Sequence, residues 1–183
     1  MKLPMVLLGS SRAMRALVDV ISDTLRDSCN ILCRSIFALF RSIAMSEQNK
    51  TLVRNLIYSV NSRDWESLRT LLIPNFVRHS NAGGVPEVRS ATELISFLKN
   101  ECVAFPDAQE TVLDLVAERE KVAVRSHFFG TQSGYLGSHP PSGKVLSAIT
   151  LAIYRIEDGR IAEAWAEWDN LYGLRQLGHS NAS

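Results

Sequence analysis

Three carboxylates lie close together in the run Glu163-Ala164-Trp165-Ala166-Glu167-Trp168-Asp169. In an extended chain alternate side chains share a face. Ile161, Glu163, Trp165, Glu167 and Asp169 therefore fall on one side, and Ala162, Ala164, Ala166 and Trp168 on the other. Bulky apolar groups mixed with three carboxylates do not make a plain core face. If that face lines a concave sheet, Asp169 lies at the mouth or floor of a pocket. A carboxylate with a pKa near ~4 is a poor base at neutral pH, and apolar surroundings correct this by disfavouring its charged form. Trp165 and Trp168, beside Asp169, could supply such surroundings and fit it for acid/base proton transfer. The same aspartate also reads as the cap of a closing helix, because Asn170-Leu171-Tyr172 follow directly; the two roles are compatible.

Other side chains offer chemistry with a plainer reading beside each. His79, at the end of a short strand facing a Gly-rich loop, is a second acid/base or carbonyl donor, or a surface histidine bonded to nearby backbone. His127 alternates with Arg125 and Phe129. Arg125 could hold an ester or carboxylate oxygen, but pairing with Glu163 or Glu167 is favoured. His139 in a Pro-rich loop and His179 in the tail read as solvated, and Cys102 as a core residue. No spacing unites the histidines into a metal site, and no nucleophile elbow, P-loop or dinucleotide fingerprint is present.

Composition narrows the classes. The chain has 183 residues, 46% apolar and 21% charged, which fits one ordinary core with an appendage. A net charge of +1 leaves no basic excess for neutralising phosphates, so a dedicated nucleic-acid binder is excluded. Cys29, Cys33 and Cys102 make an odd number without paired CxxC motifs, pointing to a reducing, cytoplasmic compartment rather than a disulfide framework. No charge-free apolar run approaches the ~18–20 residues of a membrane span.

The elements follow from pattern and punctuation. Residues 1–45 form a helical extension with net charge +3, whose apolar stripe includes Leu17, Val20, Ile21, Leu25, Ile31, Leu32, Ile36, Leu39 and Phe40. An over-extended gene model, a genuine extra helix and a targeting segment all account for it; Cys29 and Cys33 there read as small apolar face residues. The domain proper spans 46–178, with 179–183 as a disordered tail. Leu52, Val53, Leu56, Ile57 and Val60 have helical spacing. Asp64 caps a second helix, Trp65 to Leu72, which Pro74 ends. A short strand, Asn75 to Ser80, leads through a Gly83-Gly84 loop to a third helix ending near Val103, with Leu94, Ile95, Phe97 and Leu98 inward. Strands over Gln109–Ala117 and Val122–Thr131 follow. A last hairpin turns at Asp158-Gly159, a pair that supplies the positive φ angles of a two-residue turn. Helices segregated from an antiparallel or mixed sheet make an α+β architecture: a curved sheet wrapped on about three helices, as a cone open at one end.

Several short motifs then occur in order: Phe76-Val77-Arg78-His79, Phe105-Pro106-Asp107, Gly130-Thr131-x-x-Gly134, Pro140-Pro141-Ser142-Gly143-Lys144, Asp158-Gly159-Arg160-Ile161-x-Glu163-x-Trp165 and Asp169-x-x-x-Gly173-Leu174-x-Gln176-Leu177-Gly178. Together, over about residues 46–178, they resemble the SnoaL-like polyketide cyclases, or ester cyclases, of the NTF2-like superfamily. The resemblance implies a deep, mostly apolar pocket, no metal, no cofactor and dimerisation or higher homo-oligomerisation through the outer sheet. It also implies a hydrophobic, carbonyl-rich, polyketide-like substrate cyclised or isomerised by aldol-type chemistry, with Asp169 as the acid/base. His79 and Gln132 would orient carbonyl oxygens, Arg125 would bind substrate, and Tyr135, Trp165 and Trp168 would shape the pocket. Gln132 departs from the His that many members carry there; it can hydrogen-bond but cannot exchange a proton near neutral pH. The alternative is a non-catalytic module that binds a small molecule or a protein partner on the same fold.

Overall fold

The computed structural model describes residues 10–80 and 87–179, leaving aside the side chains of residues 10–13, 17, 18, 21 and 23–33. Cys29, Cys33, much of the N-terminal apolar stripe, the Gly83-Gly84 loop and residues 180–183 of the tail therefore lie outside what is described. The chain divides into two compact units, Met1–Ala44 and Met45–Ser183. In the first, the described stripe residues Val20, Ile36, Leu39 and Phe40 are exposed. No helix among the described residues is long and apolar enough to cross a membrane.

The elements run α1 (Ser10–Asn61), α2 (Trp65–Leu71), β1 (Leu72–His79), α3 (Ala91–Ala104), β2 (Gln109–Glu118), β3 (Lys121–Thr131), β4 (Val145–Glu157), β5 (Arg160–Trp168) and α4 (Asn170–Leu177). The five strands form one mixed sheet in the order β1-β5-β4-β3-β2, with β1 parallel to β5 and every other pair antiparallel. The α+β expectation holds, although α1 runs unbroken from Ser10 to Asn61 where a new helix was expected to start near Ser46. β1 starts three residues earlier than the alternation suggested and includes Pro74. An edge strand tolerates this, because one side of it needs no ladder donor. Asp158 and Gly159 have φ of 47° and 73°, the paired positive angles of a type I′ hairpin turn.

One irregularity changes which side chains share a face. On β5, Ile161 pairs with Ile156 while Glu163 pairs with Arg155, so Ala162 is an extra, bulged residue. Strict alternation from Ile161 therefore fails. Ile161 belongs to the same interior as Ala164, which with Ile156 and Ala152 packs against the helices. Glu163 and Trp165 face the other way. The core side of the sheet is thus the small-residue face of β5, not the one that carries the carboxylates.

The rest of the core follows helical periodicity. Val53, Leu56 and Ile57 of α1, Leu68 of α2, and Leu94 and Ile95 of α3 are all buried against the sheet. Asp64 caps α2 by accepting from the Ser67 N–H, and Ser90 caps α3 by accepting from that of Glu93.

Candidate active site

The concave side of the sheet and the inner faces of α1 and α3 leave a partly open cavity of about 130 Å3. Its walls are mostly apolar: Phe76, Phe97, Leu98, Ala152, Ala166 and Trp168 among them. Ionisable residues interrupt the apolar lining: Arg78 from β1, Glu101 from α3, Glu110 from β2 and Tyr154 from β4, with Arg63, Cys102 and Glu167 also on the wall.

Each is placed by the period of its element. Arg78 follows buried Phe76 by two residues, so it points to the same interior; it is 7% exposed, and its Nη1 has no hydrogen-bond partner among the described residues. Its guanidinium lies 5.0 Å from the centroid of the Phe97 ring. Glu101 lies three residues beyond Leu98 on the inward stripe of α3. Water reaches Glu101 and Glu110 in part through the cavity, yet both carboxylates are enclosed by protein. Burial pushes the Glu101 carboxyl up to about 7, against the pull of Arg78 and with a further push from Glu110. Burial also raises Glu110, which is held from below by the Ser126 hydroxyl, donating to Oε1 at 2.5 Å, and by Thr150 at 3.4 Å. Tyr154 is likewise pushed up by burial, so its phenol stays protonated. Burial raises the Cys102 thiol too, which disfavours a nucleophilic thiolate there.

The residues singled out in the sequence are dispersed rather than gathered. Asp169 is exposed and is not part of the cavity wall. It is the N-cap of α4, its Oδ1 accepting from the Tyr172 N–H at 2.8 Å. His79 and Trp165 lie on the outer face, stacked with ring centroids 5.4 Å apart, as neighbours in the parallel β1–β5 register. The bulge at Ala162 turns Trp165 outward, and His79 faces out because it alternates with buried Phe76 and Arg78 on β1. Arg125 is on the outer face as well and pairs with Asp114, not with Glu163 or Glu167. Tyr135 is 67% exposed on a loop. Gln132 is fully buried but outside the cavity, its Nε2 donating to the carbonyls of Gly134 and Pro140 and its Oε1 lying 2.7 Å from His179 Nε2. His179 also stacks on His139, so neither is free in solvent. Of the substrate-contact set, Trp168 alone lines the cavity.

Arg78, Glu101 and Glu110 escaped the sequence reading, although Arg78 and Glu101 each carried a signal: a charge set at core spacing on an otherwise apolar face. A larger groove of about 410 Å3 opens on the outer side, between β1 and the β4–β5 hairpin. Arg155 there bridges Glu157 and Glu163. Among the described residues the inner cavity is the better candidate because it combines a mostly apolar wall, a carboxyl raised by burial and an unpartnered buried cation. Among the described residues no group of three His, Cys, Asp or Glu side chains is arranged to hold a metal ion.

Comparison with known proteins agrees with this architecture. The family model for the SnoaL-like polyketide cyclases matches residues 50–177. IdmH of Streptomyces antibioticus, described as a candidate polyketide cyclase, is 33% identical, with a TM-score of 0.64 over 72% of this chain and 99% of that one. TsrD of Streptomyces laurentii is 29% identical, with a TM-score of 0.64 over 73% and 97%. A candidate SnoaL-like polyketide cyclase of Jannaschia sp. CCS1 shares the fold at 21% identity, with a TM-score of 0.66 over 74% and 95%. No functionally curated protein matches. With its cone of helices and mixed sheet and a match over residues 50–177, the chain belongs to the SnoaL-like polyketide cyclase family, on the NTF2-like fold.

Proposed function

We propose that the protein is a cofactor-free cyclase or isomerase of a hydrophobic, carbonyl-bearing small molecule, and that Glu101 is its acid/base. The observation that carries this reading is a carboxyl pushed up to about 7 in an apolar cavity, where it can both accept and return a proton near neutral pH. In an aldol ring closure the Glu101 carboxylate takes a proton from the carbon next to a carbonyl. The C–H electrons pass into an enolate, whose carbon attacks a second carbonyl of the same molecule. The alkoxide so formed takes the proton back from Glu101, so product and substrate are isomers and no co-reactant is consumed. IdmH, the 33% identical relative, is itself described as a candidate cyclase, which supports the reaction class.

Asp169 remains the competing assignment, since the family pattern designates that position. Against it stand its exposure and its commitment to the α4 cap. Metabolite profiles of cells that make the substrate and express wild type, Glu101→Gln or Asp169→Asn separate the two. Glu101→Gln is expected to lower product about 10²–10⁴-fold with an isomeric precursor accumulating, the usual loss for a general base. Asp169→Asn is expected to leave the product in place. The reverse pattern moves the proton transfer to Asp169, and identical profiles from all three folded proteins indicate a binding module.

A further inference from the structure

Resting on the proton-transfer reading above, the geometry points to Arg78 as a second catalytic residue, whose Nη1 holds the oxygen that becomes negative when the substrate carbon is deprotonated. The cavity consequently takes substrates that are neutral on entry and become anionic only inside.

The guanidinium is built in rather than draped over the surface. The Arg78 N–H donates to Val88 O at 2.9 Å, fixing the backbone, and the Phe97 ring supports the guanidinium from one side. The residue is 7% exposed and Nη1 is unpartnered among the described residues. Buried polar groups are nearly always satisfied, so an orphaned charged donor facing a cavity calls for a ligand atom.

The charges around it decide which ligand. Arg78 shares the cavity with Glu101 from α3, Glu110 from β2 and Tyr154 from β4, and the Cys102 thiol, Arg63 and Glu167 of β5 also line it. The Arg63 guanidinium is already bound to the carbonyls of Val60 and Ala108. When Glu101 takes a proton from a neutral substrate, one negative charge moves from the carboxylate to the enolate oxygen and the total in the cavity does not change. Arg78 attracts the charge before and after the step, but only the enolate can close on its free donor. A substrate that arrives as a carboxylate adds a charge beside Glu101 and Glu110 and is repelled. This is oxyanion stabilisation by a preorganised donor in a site shielded from water, and loss of one such donor typically costs about 10²–10³-fold in rate.

Acetylacetone is a suitable probe, because its central C–H is acidic and its enolate absorbs at longer wavelength than its neutral forms. The full chain near pH 7 is expected to generate a saturable enolate band. Arg78→Met is expected to reduce that band roughly a hundredfold, with Arg78→Lys between the two. A wild-type band that survives Arg78→Met, or no saturable band in the wild type, overturns the assignment. Glu101→Gln distinguishes this idea from the one beneath it: when the pH is raised until the probe ionises by itself, and the free-enolate absorbance is subtracted, a saturable bound band should return in Glu101→Gln but not in Arg78→Met. A band in Glu101→Gln already present near pH 7 removes Glu101 and leaves Arg78 standing. Butanoate, a permanent anion of similar size, is expected not to displace the probe; displacement at matching concentration makes Arg78 a carboxylate binder instead and overturns the selection of neutral substrates. A structural role for Arg78 would lower Tm in Arg78→Met, whereas removal of an unpartnered buried charge leaves Tm unchanged or raises it. Should Arg78→Met fail to fold, Arg78→Gln is read by the same criteria.

Discussion

His79 Nε2 lies 2.8 Å from Glu163 Oε1, and the other oxygen of that carboxylate accepts from Arg155 Nε at 2.9 Å. Arg155 first, then His79, holds the Glu163 carboxyl below its ordinary range. The cluster looks like an acid/base relay, but it is on the sheet face opposite the cavity and its groups satisfy one another. His79→Ala is therefore expected to leave product formation unchanged and to cost under about 1 kcal/mol of stability, as partly exposed ion pairs do. A metabolite profile paired with a denaturant melt checks both, and loss of product from folded His79→Ala would return the histidine to the mechanism.

For Asp169 the expected signature is a stability effect that depends on the side chain's oxygen rather than on its charge. Asn can accept from the Tyr172 N–H as Asp does, so Asp169→Asn should be nearly neutral, while Asp169→Ala should cost about 1 kcal/mol. Equal losses from both substitutions in urea unfolding would show that the carboxylate charge matters beyond the cap.

Glu101 makes a prediction about pH that needs no substrate. Its folded-state pKa, about 7, lies above the ordinary 4.5. Below pH ~4.5 both folded and unfolded chains hold the proton. As pH rises from there, the unfolded chain releases it first, and the folded state loses stability relative to it until the pH passes about 7. Glu101→Gln removes that loss. The variant is thus expected to gain roughly 1–3 kcal/mol over wild type at pH 8 compared with pH 4, from the size of the shift and allowing for water in the cavity. Parallel stability curves across that range would mean that the carboxylate is not held in an apolar setting, and the acid/base assignment would go with it.

The sequence made the fold legible because every element carried redundant signals. α3 has its cap at Ser90 and its stripe at Leu94 and Ile95, and the β4–β5 hairpin has Asp158-Gly159. The site was not legible for a different reason. The alternation rule assigns faces only while register is unbroken, and one extra residue at Ala162 reverses the assignment of everything after it. Nothing in an Ile-Ala-Glu-Ala run announces a bulge. Arg78 and Glu101 were readable from spacing alone, as isolated charges on apolar faces, whereas the carboxylates that cluster in sequence do not gather in the cavity. Clustering in sequence is a poor guide to clustering in a sheet, where β5 meets both β1 and β4.

Gln132 shows how a position that resembles a site can be a structural pin. Its side chain ties the carbonyls of Gly134 and Pro140 to His179, joining the loop after β3 to the end of α4. Replacing it by Leu leaves these groups unpaired in a buried place, and the expected cost is about 1–3 kcal/mol. Gln132→Leu should therefore lower Tm, while the acetylacetone enolate band, measured well below that temperature, should persist. Loss of the band in folded Gln132→Leu would bring Gln132 into the cavity's chemistry.

Gly134, two residues on, is needed for space rather than for a backbone angle. A Cβ built there would press into the carbonyl of Val103, at the end of α3, and lie 3.1 Å from Ala104 Cα. These are backbone atoms that cannot rotate away as a side chain would, and Ala104 O already accepts from both Ser133 N and Gly134 N. Gly134→Ala thus has to push the loop off the helix and weaken those two bonds. The expected loss is about 1–3 kcal/mol, the range for overpacking a close contact. Because Glu101 and Cys102 line the cavity from the same last turns of α3, the displacement should also disturb the enolate band of the acetylacetone titration. A variant with wild-type Tm and wild-type band would show that the loop yields freely, and that the Gly-x-x-x-Gly spacing of residues 130–134 has no bearing on where α3 presents Glu101.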